Sequence, residues 1–88
     1  MTFDFNIKVK EIDGKEGERN LSNVLSDFIG SETKGNTVKL CYWYATLMAQ
    51  KPLELDEPDK KNLIELITTT DRLYVFLKAQ LLEVLQNN

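Results

Sequence analysis

Acidic side chains that could bind a metal ion are densest around residue 56 of this chain, at Glu54, Asp56, Glu57 and Asp59. Carboxylates are the ligands that hard divalent cations such as Ca²⁺ and Mg²⁺ prefer. The spacing, however, lacks the alternating acids and the glycine of a calcium-binding loop. Asp56 suits the N-cap of a helix and Asp59 suits its first turn, where negative charge is favoured. Helix capping therefore accounts for these acids, and we predict no metal site.

Nucleophilic and acid–base chemistry has few candidates, because the chain has no His and a single Cys, Cys41. His is the usual general base near neutral pH and the commonest metal ligand, so the usual zinc sites and Ser-His or Cys-His pairs are ruled out within one chain. The four glycines fit no phosphate-binding loop. Only Lys39 lies near Cys41 in sequence, and we expect a buried structural thiol. We predict no catalytic residue and no cofactor, and hence a protein that is not an enzyme.

The elements that would position any site begin with a β-hairpin over about residues 2–20. Apolar residues alternate with polar ones from Phe3 to Val9, which predicts a strand with one apolar face. The alternation breaks at Glu11-Ile12, where we expect a bulge. Asp13-Gly14 then indicates a two-residue turn. The return segment has no apolar side chain, so we expect the Phe3–Val9 edge to be a contact surface for another chain.

Four helices follow, over about residues 21–29, 37–51, 57–69 and 71–86, with a polar loop around Gly35. The first helix has one apolar face and Gly30 as the residue after its end. Leu53–Leu55 reads as a short extended link before the third helix. We predict one α+β domain spanning residues 1–88, in which an N-terminal β-hairpin is followed by four α-helices packed on its apolar face.

The second helix is apolar on nearly all sides. On a helical wheel, one side collects six residues, Val38, Cys41, Tyr42, Ala45, Met48 and Ala49. The opposite side collects four, Leu40, Trp43, Tyr44 and Leu47. Such a helix lies between two layers of one protein or between two molecules. Two interpretations stay open: this is the central helix of a small core, or its Leu40–Leu47 side meets a partner.

The fourth helix repeats the pattern, with a main stripe through Leu77 and a second stripe of Val75, Ala79 and Leu82. Gln80 falls inside the main stripe. It either bonds backbone carbonyls at the rim of the core or fixes the register of a helix–helix contact.

The amino-acid composition limits the kinds of molecule that this chain could bind. The chain has 88 residues, 11 Lys+Arg and 14 Asp+Glu, and a net charge of −3, which argues against general nucleic-acid binding. Lys8 and Lys10 share the polar face of the hairpin, so a small dimeric DNA-binding regulator that uses this hairpin remains the alternative. No apolar run approaches the ~18–20 residues of a membrane span, and the N-terminus lacks a signal-peptide stretch. The lone cysteine favours a reducing cytoplasm.

Surplus apolar stripes on so short a chain indicate association with another protein. Twofold pairing lets one patch serve both partners, so we predict a homodimer, with a different protein as the second option. The residues predicted to bind a partner are Leu40, Trp43, Tyr44, Leu47, Val75, Ala79 and Leu82.

The order of these features resembles small uncharacterised proteins of bacteriophages, prophages and other mobile elements. The resemblance is carried by the opening Phe3–Lys10 segment, the Asp13-Gly14 turn, the Leu53–Asp56 helix start and the ending Ala79–Leu82. It implies a bacterial cytoplasmic setting, with virion association as a second option. It also implies a virion-assembly accessory or a host-directed inhibitor, and it transfers no catalytic residue.

Overall fold

The computed structural model describes residues 1–31 and 37–86, and it shows the predicted α+β fold with an N-terminal hairpin and four helices. The predicted loop around Gly35 lies outside the described residues. In chain order the elements are β1 (Thr2–Phe3), β2 (Lys8–Lys10), β3 (Glu16–Asn20), α1 (Leu21–Gly30), α2 (Thr37–Met48), β4 (Leu53–Glu54), α3 (Glu57–Thr69) and α4 (Val75–Gln86).

The hairpin pairs β2 with β3 in antiparallel orientation. Its loop has three residues rather than the predicted two, because the amide of Glu11 donates to the carbonyl of Lys15 at 2.8 Å. The amide of Gly14 donates to the carbonyl of Glu11, also at 2.8 Å. Gly14 has a φ of 84°, a left-handed conformation that glycine adopts at no steric cost. The turn is therefore a type I turn closed by a glycine bulge. The register irregularity lies within β2, and the bulge predicted at Glu11-Ile12 is not where the alternation placed it.

The first strand is interrupted between residues 4 and 7, so the prediction of one continuous strand is wrong. The Asp4 carboxylate accepts a hydrogen bond from the Asn6 amide at 2.9 Å, and the Ile7 amide donates to the Phe5 carbonyl at 2.8 Å. These local bonds compete with strand pairing. The carbonyls of Phe5 and Ile7 instead accept from the amides of Ser22 and Leu21 at the start of α1, both at 2.9 Å. The segment before the interruption, β1, pairs instead with β4 in antiparallel orientation.

The strand edge predicted to face another chain is largely covered by the chain itself. At β2, the side-chain amide of Gln80 accepts from the Lys10 amide at 2.8 Å and donates to the Lys10 carbonyl at 2.9 Å. Gln80 also donates to the Phe76 carbonyl at 3.0 Å. The interpretation that Gln80 bonds backbone carbonyls is confirmed. Pairing with β4 covers the Phe3 end of the predicted Phe3–Val9 contact edge, and contact of the rest of this edge with another chain stays a prediction. Ile7 is 49% exposed instead of joining the core.

Two helices are shorter than predicted. α2 ends at Met48, three residues early, and Gln50 follows with a φ of 57°, which no helix accommodates. α4 begins at Val75, four residues late, because the Thr70 hydroxyl accepts from the Arg72 amide at 3.2 Å and holds a turn there. By contrast, α3 starts where the Asp56 cap predicted.

α1 and α2 pack closely where α1 ends. Gly30 is the last residue of α1, and Ser31 is its C-cap, so Gly30 does not follow the helix as predicted. A Cβ atom at Gly30 would lie 2.7 Å from the ring of Tyr44. The glycine is therefore used for a close approach between helices and not for a left-handed turn.

One hydrophobic core joins the two sheets and all four helices, and β3 contributes only backbone pairing, as its sequence predicts. The buried apolar residues are Phe3, Phe5, Val9, Leu21, Val24, Leu25, Phe28, Ile29, Trp43, Leu47, Leu53, Leu55, Leu63, Ile67, Leu77, Leu81 and Leu85.

Candidate functional site

α2 presents one apolar face to the core and a second apolar face to solvent. On the inner side, Trp43 and Leu47 are buried, and Leu40 packs against them while half-buried. We call the other side the outer face, and it consists of Val38, Cys41, Tyr42, Ala45 and Met48 of α2 together with Ala49, which directly follows the helix. All six are exposed and none is charged. Surface helices normally carry polar residues on that side, so this face is the anomaly of the fold.

The two faces of α2 are reversed relative to the sequence-based prediction. Trp43 and Leu47 were predicted to bind a partner, yet they lie in the core. Cys41 was predicted to be buried, yet its thiol is exposed. Burial stabilises in proportion to the apolar area removed from water, so the core takes the bulky indole and leucine side chains. The smaller set, with two alanines and a cysteine, is left outside. Side-chain bulk is the signal that could have assigned the faces correctly.

The outer face exposes large apolar side chains to solvent. Val38 is 80% exposed, Tyr42 is 67% exposed and Met48 is 52% exposed. Scattered apolar side chains are ordinary on protein surfaces, but a contiguous apolar patch usually marks a contact with another molecule. Here five positions on one side of α2 and Ala49, which directly follows the helix, form the patch.

A salt bridge lies at the N-terminal end of this helix. The ammonium group of Lys39 donates to the Asp59 carboxylate at 2.6 Å and ties α2 to the first turn of α3. This hydrogen bond, together with the negative charge of Asp59, raises the pKa of Lys39 above its ordinary value. Lys39 is the only charged residue of α2. The pair therefore keeps a polar group beside the outer face and not on it.

The remaining residues predicted to bind a partner differ in their exposure to solvent. Tyr44 is 37% exposed, but its ring packs against Gly30. Leu82 is half-buried against the core. Val75 and Ala79 are exposed, so they keep the accessibility that the prediction required. They form a patch on α4 that is smaller than the outer face of α2.

Two open grooves lie elsewhere on the surface. One, of about 450 Å³, runs between β2 and α4 and carries charged residues of both signs, including Asp4, Lys8 and Glu83. The other, of about 540 Å³, is lined by Arg19 and Arg72 among others. Both guanidinium groups are already engaged within the chain.

Arg19 donates to the Glu11 carboxylate at 2.8 Å. Arg72 donates to the carbonyl and hydroxyl of Ser31, both at 2.9 Å, and lies over the Phe28 ring. Glu11 therefore offsets the charge of Arg19, while Arg72 is held in place by the neutral oxygens of Ser31 and by the Phe28 ring.

Within the described ranges, no group of three or more Cys, Asp or Glu residues is placed to hold a metal ion. Around residue 56, helix capping or ion pairs already involve Asp56, Asp59 and Glu54. Asp56 accepts from the Asp59 amide at 2.9 Å. Glu54 accepts from the N-terminal ammonium group at 3.2 Å and from the Thr2 hydroxyl, and these hydrogen bonds lower the pKa of Glu54.

Of the helices in the part of the chain that is described, none has the length and apolar character needed to cross a bilayer. No protein-family model, curated protein or solved structure matches this chain.

Proposed function

We propose that this protein is a non-enzymatic protein–protein interaction module whose docking surface is the outer face of α2. The observation that supports this proposal is that five positions on one side of α2, and Ala49 directly after it, are all exposed and uncharged. Each Å² of apolar surface removed from water contributes about 25 cal/mol, so covering a patch of this kind favours association. A helix whose only role was to complete the core would need one apolar face, and α2 has two.

The resemblance to phage and prophage proteins supplies the biological setting of this proposal. In that setting the module acts in the cytoplasm of a bacterial host, as a virion-assembly accessory or as a host-directed inhibitor. Both roles require recognition of another protein and no bond-making chemistry. The absence of His from the chain and the engagement of both groove arginines agree with such a role.

The test is capture of binding partners by the immobilised chain and by an Ala45→Asp variant. Ala45 lies on the outer face and is exposed, so the substitution leaves the core intact while placing a charge in the docking surface. A charge buried without a partner is strongly unfavourable, so binding should fall by roughly tenfold or more. A protein recovered from a lysate of the source organism by the native chain and lost with the variant supports the proposal.

Ala79→Asp is the matched control, because Ala79 is an exposed alanine on a different helix, α4. It should leave binding unchanged. If Ala79→Asp abolishes capture while Ala45→Asp does not, the docking surface is the α4 patch and not the outer face. If both variants retain every captured protein, the interaction proposal is wrong for both surfaces. Circular dichroism of each variant verifies that the fold is preserved.

The alternative, a small DNA-binding regulator that uses the hairpin, has less support from the surface charges. Residues 8–20 contain four basic and four acidic side chains, so the hairpin has no net positive charge. Arg19 is paired with Glu11, and the ammonium group of Lys8 donates to the Glu18 carbonyl at 3.1 Å. A mobility-shift assay at two salt concentrations decides between the two functions, because binding to phosphates weakens steeply with salt.

A further inference from the structure

We propose that Gln80 is a latch on the open edge of β2, with its side-chain amide in the place where a neighbouring strand would offer a peptide group. The latch blocks the addition of a strand from another chain at this edge. This role concerns the hairpin and α4, so it is separate from the docking surface proposed on α2. Three observations support it, namely the direction of the β2 backbone groups, the hydrogen bonds of Gln80 and the groove that Gln80 spans.

The backbone of β2 has one edge that is not paired with a strand. Within the described residues, β2 pairs with β3 and with no other strand. On the β3 side, the amide of Glu11 donates to the carbonyl of Lys15 at 2.8 Å. Successive residues of a strand direct their backbone groups to opposite edges, so the groups of Lys10 point away from β3, and those of Lys8 point the same way. A strand added at this edge would therefore bond Lys8 and Lys10.

Gln80 bonds Lys10 in the pattern of a neighbouring strand. Its Oε1 accepts from the Lys10 amide at 2.8 Å, and its Nε2 donates to the Lys10 carbonyl at 2.9 Å. Two residues that face each other in antiparallel strands exchange the same two kinds of bond. Nε2 also donates to the Phe76 carbonyl at 3.0 Å, so both hydrogens of the side-chain amide are used. A carboxylate could accept from the Lys10 amide, but it has no hydrogen for either carbonyl.

Gln80 makes these bonds across an open groove between β2 and α4. The groove has a volume of about 450 Å³, and Ile7, Lys8, Lys10 and Val84 are among the residues that line it. With Lys10 bonded to Gln80, only Lys8 of β2 is left for pairing on this edge, whereas strands are usually about three residues or longer. The side chains of Lys8 and Lys10 are exposed and add positive charge to the same edge, which also disfavours the addition of a strand.

Amide hydrogen exchange of the full chain, measured by NMR, tests the bonds of the latch. Gln80→Met keeps the length of the side chain and a good helix former but removes the amide, so exchange of the Lys10 amide should accelerate by roughly tenfold. The amide of Leu81, a fully buried residue, reports global unfolding and should change less. Gln86→Met is the matched control, because Gln86 is an exposed glutamine of the same helix. An unchanged Lys10 rate in Gln80→Met would overturn the proposal.

Sedimentation velocity tests whether the latch blocks strand addition. Gln80→Met should associate at concentrations roughly tenfold lower than the native chain and Gln86→Met, and the Lys8 and Lys10 amides should become protected in the associated form. Equal association of all three proteins would overturn the blocking role. Association of the native chain that protects the Lys8 amide would also overturn it and would support the predicted contact of the Phe3–Val9 edge instead. Capture of a partner through the outer face of α2 is independent of these results.

Discussion

α1 and α2 are neighbours that both contribute apolar side chains to the core, but they expose different kinds of residue to solvent. The exposed residues of α1 are Asn23, Asp27 and Gly30, none of which has an apolar side chain. The exposed residues of α2 include six apolar ones and a single charge, Lys39. α1 even buries two serines, Ser22 and Ser26, in its inner face.

The difference shows which of the two helices has its apolar side chains covered by residues of its own chain. An amphipathic helix packs an apolar face against the core and exposes a polar face to water, and α1 does both. α2 satisfies the core and then offers a second apolar face for which the described residues provide no cover. Folding alone explains the first face. The second face is exposed to water within the described residues, and we therefore propose a docking surface on α2.

The strongest test of the difference between the two faces of α2 is a pair of substitutions at adjacent residues. Leu47→Ala removes a fully buried side chain and should lower the free energy of unfolding by about 2–5 kcal/mol. Met48→Ala removes a side chain of similar size that is half exposed, and should cost less than about 1 kcal/mol. Urea denaturation at a concentration that keeps the chain monomeric measures both. Equal losses would mean that the outer face is also part of the monomer core.

The two buried serines of α1 provide a second test of the comparison between α1 and α2. The Ser22 hydroxyl is buried and has no hydrogen-bond partner among the described residues. The Ser26 hydroxyl donates to the Asn23 carbonyl at 2.9 Å and contacts the Met48 sulfur at 3.5 Å. Ser22→Ala should therefore raise the free energy of unfolding by about 1 kcal/mol, since it removes an unsatisfied polar group.

Ser26→Ala is the matched control, because it removes a hydroxyl that is bonded. It should give no comparable gain in thermal or urea denaturation. A stabilisation equal to that of Ser22→Ala would show that helix propensity alone, and not the missing hydrogen bond, explains the effect.

Local patterns were sufficient to predict α1 and its orientation. Its five apolar residues recur at helical spacing, only one face can be buried, and all five lie in the core. The start of α3 was predictable for a similar reason, because the Asp56 cap acts within one turn. The hairpin was predictable from alternation and from Gly14. In each case the determining contacts are close in sequence.

Long-range and symmetric features were not predictable. The interruption after β1 depends on Asp4, whose side chain can bond locally in a strand or a turn. Pairing of β1 with β4 joins segments about fifty residues apart, and no periodicity encodes that. For the candidate site, the pattern grouped Tyr42 and Ala45 on one side of α2 correctly. The helical periodicity alone could not decide which side of α2 enters the core, because both sides are apolar. Only the size of the side chains distinguishes the two sides.

The contact between the two helices provides a smaller test. Gly30→Ala would place a Cβ atom 2.7 Å from the Tyr44 ring, which must move to make room. We expect a loss of up to about 1 kcal/mol. In a Tyr44→Ala background the same substitution should stabilise by a few tenths of a kcal/mol up to about 1, through helix propensity. A double-mutant cycle by urea denaturation checks this, and additivity would show that Gly30 and Tyr44 do not interact.

The smallest effect concerns Lys39, the one charge of α2, and it tests whether that charge is used within the chain. The bond to Asp59 raises the pKa of Lys39 in the folded protein above its value in the unfolded chain. The stabilisation is therefore complete below the unfolded pKa and is lost as the pH rises through the folded pKa. The free energy of unfolding of the native chain should exceed that of Lys39→Gln slightly at neutral pH. The difference should shrink as the pH rises above the ordinary lysine pKa of about 10.4, and also in high salt, because the Lys39 side chain is exposed. A difference that stays constant as the pH rises would mean that Lys39 acts through its alkyl chain and that the charge of α2 is not held by α3.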